Sequence, residues 1–285
     1  FRKNGQDGLY LAYSYDGLTW QAINEDQPLV APKVGKDRLM RDPCIVQGPD
    51  GVFHMVWTIS WGARSIGIAH SKDLIHWSEQ SLIPVMEHEP EAQNCWAPEI
   101  FYDDENKQYL IFWATTIVGK FSETVAQNNP ERNHRMYYTT TKDFETYTKT
   151  KLFYEPGFNV IDSTIIKRGP NDYVMFLKDE TYNPAQKNIK MAFAKQPAGP
   201  WSDPTQPITK TTDYWAEGPT SIQIGSYWYL YFDKYRKDRY GCLRTKDFET
   251  WEDVSRQLEY PNGMRHGTAF EAPKPVIQKL KELKP

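Results

Sequence analysis

Four carboxylates and one imidazole recur in short, similar settings along a chain of 285 residues. Asp42 stands in Arg41-Asp42-Pro43, Glu99 in Trp96-Ala97-Pro98-Glu99, Asp162 in Ile161-Asp162-Ser163, Glu217 in Glu217-Gly218-Pro219 and His266 in Arg265-His266-Gly267. Each setting opens a short run that reads as a strand. Acids gathered at one place repel and shift one another's pKa, an arrangement that stability alone does not favour and chemistry can use. One carboxylic acid to protonate a leaving oxygen, and one carboxylate to activate water on the opposite face, would hydrolyse an acetal with inversion when they stand about 6.5–9.5 Å apart. The plainer alternative is that each acid caps strand-end amides of its own unit. That serves for any one of them and explains the set poorly.

The elements that must gather these residues are written in a repeat. TKDFETY ends at Tyr147 and TKDFETW at Trp251, with weaker copies ending at Trp20, Trp77 and Trp201, at intervals of 57, 70, 54 and 50 residues. Within the unit from Asp42 to Ser81, an apolar run leads to the turn Gly48-Pro-Asp-Gly51. Val52–Trp57, Ile66–His70 and a strand opened by Trp77 follow, giving a four-stranded antiparallel meander. Equivalent runs start near Ala97, Ile161 and Glu217, and a fifth start at His266 needs strands from Gly8–Tyr13 to complete it. The expectation is an all-β, five-bladed β-propeller of four-stranded antiparallel blades, its ring closed by N- and C-terminal strands, forming a single catalytic domain over 1–285. Helix is expected only near Val276–Glu282. The repeated heptads are read as turns into outer strands, with Asp accepting turn hydrogen bonds and the aromatic residue packing between blades. Copies spread around a rim cannot converge on one ligand.

Composition narrows the function. The formal net charge is −3 and no Lys/Arg run stands out, which argues against a nucleic-acid partner. No apolar stretch is long enough to span a bilayer. Cys44, Cys95 and Cys242 lack metal-site or disulfide-framework spacing and are expected as free thiols. There is no phosphate-binding Gly loop, HExxH or nucleophile elbow. Ten Trp, eighteen Tyr and thirteen Phe suit both a large sheet core and a carbohydrate site.

In order and blade spacing, Arg41-Asp42-Pro-Cys-Ile, Trp96-Ala-Pro-Glu99, Val160-Ile-Asp162-Ser-Thr, Glu217-Gly-Pro and His266-Gly resemble the five-bladed propellers of glycoside hydrolase family 43 over essentially the whole chain. The resemblance implies Asp42 as general base, Glu217 as general acid and Asp162 as the residue that tunes and orients the acid. It places Glu99 as a structural or pocket residue, and His266 beside a central calcium held through water. The general acid must stay protonated near neutral pH, and an ionised neighbour such as Asp162 favours that state. The family's late arginine has no counterpart beyond His266.

Loops Ser60–Arg64, Ile117–Arg135, Asp179–Lys187 and Asp233–Tyr240 are expected on the face of the acids. Trp61, Trp96 and Trp215 are candidate sugar-stacking rings, against core packing as the plain alternative, with Arg41 or Arg64 reaching sugar hydroxyls. The implied activity is an exo-acting, inverting glycosidase on plant polysaccharide fragments, foremost an α-L-arabinofuranosidase. A β-xylosidase and a β-galactosidase or galactanase are the alternatives within the class, and a non-catalytic carbohydrate-binding propeller the alternative outside it. The expected partner is an oligosaccharide or polysaccharide, without membrane insertion, in an extracytoplasmic location; the number of subunits stays open.

Overall fold

The computed structural model describes residues 1–128, 132–209 and 213–284. After the short β1 (Ala12–Tyr13) and β2 (Gln21–Ala22), the chain forms a sheet from β3 (Arg41–Gln47), β4 (Phe53–Thr58), β5 (Ile66–Ser71) and β6 (Ser81–Ile83). A second holds β7 (Trp96–Asp103), β8 (Gln108–Thr115), β9 (Arg135–Thr141) and β10 (Lys151–Tyr154). A third holds β11 (Val160–Gly169), β12 (Asp172–Asp179) and β13 (Asn188–Ala194). The fourth holds β14 (Glu217–Ile224), β15 (Tyr227–Lys234), β16 (Arg239–Thr245) and β17 (Glu252–Asp253). All pairs are antiparallel neighbours in sequence, so each sheet is a meander, and the molecule is an all-β propeller.

Two expectations change. Four blades are formed rather than five; in the remaining sector β1 and β2 make a two-stranded sheet, and 266–272 run beside it without a ladder. That sector is tied to its neighbours by scattered bonds, among them Trp20 N–H to Glu259 O and Glu259 N–H to Leu18 O, both at 2.8 Å, Thr268 Oγ1 to Pro43 O at 3.0 Å and Ala269 N–H to Thr220 Oγ1 at 3.0 Å. The third blade also has three strands rather than four. Its outer position is taken by a segment that donates from Ser202, Thr205 and Ile208 to β13, each at 2.8 Å. Pro204 and Pro207 have no N–H to give, so no ladder extends.

The repeated heptads are turns. Asp247 Oδ1 accepts from the N–H groups of Glu249 and Thr250 at 2.9 and 2.8 Å, and Thr245 Oγ1 accepts from Phe248 N–H at 2.9 Å. Asp73, Asp143 and Asp16 repeat the pattern. Leu74, Phe144, Phe248 and Gly17 share a left-handed backbone at φ 64°, 59°, 63° and 76°. The aromatic that follows seals the turn, as where Trp77 Nε1 donates to Leu74 O at 3.1 Å.

Packing is between blades. Val56, Ile66 and Ile68 meet Ile100, Ile111 and Trp113 between the first and second; Phe112 and Met136 meet Val160 and Met175 between the second and third; Val174 and Phe176 meet Leu230 and Phe232 between the third and fourth. Each such side chain contributes about 1.5–3 kcal/mol by leaving water. Helix α1 (Lys274–Lys281) lies close to the expected helix and sets Leu280, with Val276 and Ile277, against the cluster of Phe53, Met55 and Leu9. All three cysteines are free and buried.

Candidate active site

The inner strand of every complete blade carries a bulge at its first turn. Register slips between Arg41 and Cys44, Trp96 and Glu99, Ile161 and Thr164, and Glu217 and Thr220. Inside each bulge one residue is left-handed: Asp42 at φ 51°, Ala97 at 45°, Asp162 at 50° and Gly218 at 56°. Non-glycine residues in that region carry a backbone penalty of about 1–3 kcal/mol and concentrate at functional sites. Bulges also re-aim side chains.

The acids do not all hold equivalent positions in their blades. Asp42 and Asp162 do, at the bulge residue. Glu217 comes one residue earlier, where the other blades have Arg41, Trp96 and Ile161. Glu99 comes two residues after the bulge residue of its blade. It is buried at 7% exposure, accepts from Thr164 Oγ1 at 2.9 Å, and lies deeper along the axis beside Cys44. Burial pushes its carboxyl up to about 7.

Around the axis the contacts are specific. Thr58 Oγ1 donates to Asp42 Oδ2 at 2.9 Å and accepts from Ala97 N–H at 2.8 Å, so one hydroxyl locks the base candidate to the second blade. Asp162 Oδ2 accepts from Gly218 N–H at 3.1 Å, the amide next to Glu217. His266 Nδ1 is 3.5 Å from Asp42 Oδ1 and 3.8 Å from Asp162 Oδ2. Burial opposes a charge on this imidazole, but Asp162, Asp42 and Glu217 outweigh it and its pKa is raised. Burial raises Asp162 to about 6; His266 and Lys178 pull the other way, while Glu217 and Asp42 add to the rise.

Three charged residues around the candidate acid were not singled out in the sequence. Lys178, 2% exposed, places Nζ 3.1 Å from Glu217 Oε2 and 2.7 Å from Glu180 Oε2. Burial opposes its charge, yet the two glutamates hold its pKa well above the usual lysine value. Arg265 donates through Nε to Asp233 Oδ2 at 2.7 Å and lies 3.8 Å from Glu217 Oε1. Asp233 is raised to about 6 by burial, with Glu217 adding and Arg265 opposing. A lysine and an aspartate ending the apolar runs Tyr173–Leu177 and Tyr227–Phe232 were the available signal.

The rim carries the expected tryptophans. Trp61, 46% exposed, meets Trp96 edge-to-face at 5.5 Å, and Trp96 Nε1 donates to Trp61 O at 3.0 Å. The Arg41 guanidinium lies over Trp61 at 4.3 Å and donates to Asn4 Oδ1 at 3.2 Å. Arg64 turns away, pairing with Glu87 at 3.8 Å and donating to the carbonyls of Glu89 and Pro90. Trp215 does not offer an open face on the side where Arg236 lies, at 3.4 Å from its ring centre. The long second-blade loop, of which 129–131 fall outside the described residues, brings His134 to 4.8 Å from Trp96. As for the expected calcium, no three His, Cys, Asp or Glu side chains among the described residues are grouped to hold a metal ion. His266 Nδ1 faces Asp42 and Asp162, and its raised pKa favours the protonated imidazole, which has no lone pair to give there, so the residues do not favour direct coordination.

Acids, the His266 imidazole and aromatics thus gather toward one end of the propeller axis. The chain belongs to the family 43-related glycoside hydrolases, described as a probable glycosyl hydrolase domain and matched over residues 1–274. An α-L-arabinofuranosidase of Bifidobacterium longum subsp. longum is 27% identical over 126 residues, which is 42% of this chain and 12% of that relative. An α-L-arabinofuranosidase structure from Lactobacillus brevis superposes with a TM-score of 0.57 at 21% identity, covering 76% of this chain and 72% of that one. A Bacillus subtilis arabinanase gives 0.55 at 15%, with 74% of each chain covered. An exo-β-1,3-galactanase from Phanerochaete chrysosporium gives 0.58 at 13%, with 79% and 52% covered.

Proposed function

We propose an inverting, exo-acting glycosidase that releases a terminal sugar, α-L-arabinofuranose, from plant polysaccharide fragments outside the cytoplasm. Asp42 serves as general base, Glu217 as general acid and Asp162 as the residue that orients the acid. The observation that carries this reading is the bond from Gly218 N–H to Asp162 Oδ2 at 3.1 Å, which ties the backbone beside Glu217 to the third blade while His266 bridges Asp162 to Asp42. Held this way, Asp42 accepts a proton from water on one side of the sugar, and Glu217 gives one to the leaving oxygen on the other. Arg41, Trp61 and Trp96 would contact the sugar at the mouth. The choice of arabinofuranose follows the Bifidobacterium relative; β-xylose and β-galactose remain the alternatives.

Two further parts of the reading concern the frame. The sector holding β1 and β2 counts as a fifth blade position, supported by the Asp16 turn that repeats the outer turns of the others and by Leu18 and Trp20 packing against Tyr229 and Tyr231. The whole of 1–285 then forms one catalytic ring. Charge at the axis is met by His266, Lys178 and Arg265; a calcium ion near His266 would be reached only through water, and no step is assigned to it.

The test is hydrolysis of p-nitrophenyl α-L-arabinofuranoside, β-D-xyloside, β-D-galactoside and α-L-arabinopyranoside, and of arabinose-substituted oligosaccharides, by wild type and Glu217→Gln. On an unactivated linkage the variant should lose about 10²–10⁴-fold in kcat. The loss should be smaller on p-nitrophenyl substrates, whose leaving group needs less protonation. Full activity of the variant on oligosaccharides would remove Glu217 from the acid role; silence of the folded wild type on every substrate would favour a binding propeller.

A further inference from the structure

Beyond Trp215, on the Glu217 side of the mouth, lies a cavity of about 550 Å³ lined by Gln127, Asn128, Tyr182, Asn183, Trp215 and Arg236 among others. This volume lies in the range of small-molecule sites. Its wall is built, since Tyr182 N–H and Asn183 N–H both donate to Gln127 O at 3.3 and 3.0 Å, and Asn159 Nδ2 donates to Asn128 Oδ1 at 3.1 Å. Those bonds pin the loop after β8 to the loop after β12 and to the residue before β11.

Among the described residues, the cavity lining carries one charged side chain, Arg236. The other cations near the acid are committed: Lys178 to Glu180 and Glu217, Lys187 to Glu180 at 2.5 Å, Arg265 to Asp233. Among the described residues Arg236 has no carboxylate partner, and no carboxylate lines the cavity. Trp215 holds the guanidinium at 3.4 Å. An arginine stacked on an aromatic ring is positioned at little further entropic cost and keeps its in-plane N–H donors for a planar, bidentate acceptor.

We infer that this cavity takes the carboxylate of a uronic acid on the leaving-group side of the substrate, so that the glycan processed is an acidic one. The side assignment rests on the proposed acid role of Glu217, because the general acid stands next to the departing oxygen and Trp215 is two residues from it. The anion is placed by geometry: a planar fork beside amide side chains and one exposed phenol ring fits a sugar that is polar around its rim and carries a flat charged group.

The experiment is titration calorimetry with β-D-glucuronosyl-(1→6)-D-galactose, its methyl ester and galactose 6-sulfate, on wild type, Asp42→Asn, Arg236→Gln and Arg236→Lys. In wild type and Asp42→Asn the acid should bind roughly tenfold more tightly than the ester, as expected for a charge-assisted pair. The gap should shrink in about 0.5 M sodium chloride, close to within about twofold in Arg236→Gln, and recover only in part in Arg236→Lys. Equal binding of acid and ester, a gap that survives Arg236→Gln, tighter binding of the sulfate, or no binding at all overturns the inference. Hydrolysis is not part of the readout. An inactive protein that still prefers the acid would refute the catalytic reading alone; an active one without that preference would refute only this site.

Discussion

At the scale of single residues, the site is governed by what surrounds Glu217. Lys178 Nζ lies 3.1 Å from its Oε2, the Arg265 guanidinium 3.8 Å from its Oε1, and Asp162 accepts from the amide beside it. Lys178→Met keeps the volume of the stem but removes the ammonium shared by Glu180 and Glu217, so two carboxylates at the axis lose their partner. kcat/KM should fall at least about tenfold and thermal unfolding should come at a lower temperature. An unchanged kcat/KM with a lowered Tm would give Lys178 a role in the fold alone. The acids themselves were legible in the sequence because each sits beside a proline, glycine or serine at a strand start. Lys178 and Asp233 were not, because a single charge closing an apolar run looks like an ordinary solvated strand end until the neighbouring blade shows that the end is buried.

At the scale of elements, the bulge is the device that aims these side chains, and Gly218 shows how tightly it is built. A Cβ at Gly218 would stand 2.4 Å from Cγ of His266 and 2.8 Å from its Nδ1. The backbone there is left-handed as well, so alanine carries both a clash and a conformational penalty. Gly218→Ala should therefore push His266 away from Asp42 and Asp162. Activity should fall at least about tenfold, and thermal unfolding should come several degrees lower, for a loss on the order of 1–3 kcal/mol. Unchanged kinetics with a lowered Tm would show that His266 supports the fold only. The blade repeat was readable because its outer turns use Asp, Thr and an aromatic at fixed offsets. The bulge register was not: Pro43, Pro98 and Pro219 align by eye whether the acid lies before or after them, and only the ladder fixes which residue is extra. The three-stranded third blade escaped for a related reason, since the Trp201 copy kept the aromatic while its neighbouring prolines removed the donors.

At the scale of the whole molecule, the propeller gathers buried acids around His266 at its axis and buries His54 and His134 away from it, and those acids and these two histidines act oppositely on stability as pH changes. His54 and His134 are lowered to about 4, chiefly by burial. The unfolded chain therefore binds more protons at these groups, and their contribution is lost as pH falls below about 6.5. Glu99, Asp162 and Asp233, raised to about 7, 6 and 6 mainly by burial, do the reverse. Their folded values exceed the unfolded ones, so their contribution is full below about pH 4 and disappears as pH rises through 6 to 7. Glu99 isolates this effect because it lies away from the rim and its Thr164 bond can be kept by an amide. Glu99→Gln should stabilise the protein by roughly 2–3 kcal/mol at pH 8, where the wild type must ionise a buried carboxyl, with the gain falling to a small fraction of that near pH 4.5. Denaturant midpoints at the two pH values measure it directly. A gain independent of pH would mean that packing, not ionisation, changed. If KM also rose, Glu99 would have to reach the sugar despite its burial; an unchanged KM would separate the acids that hold the ring's centre from those that meet substrate.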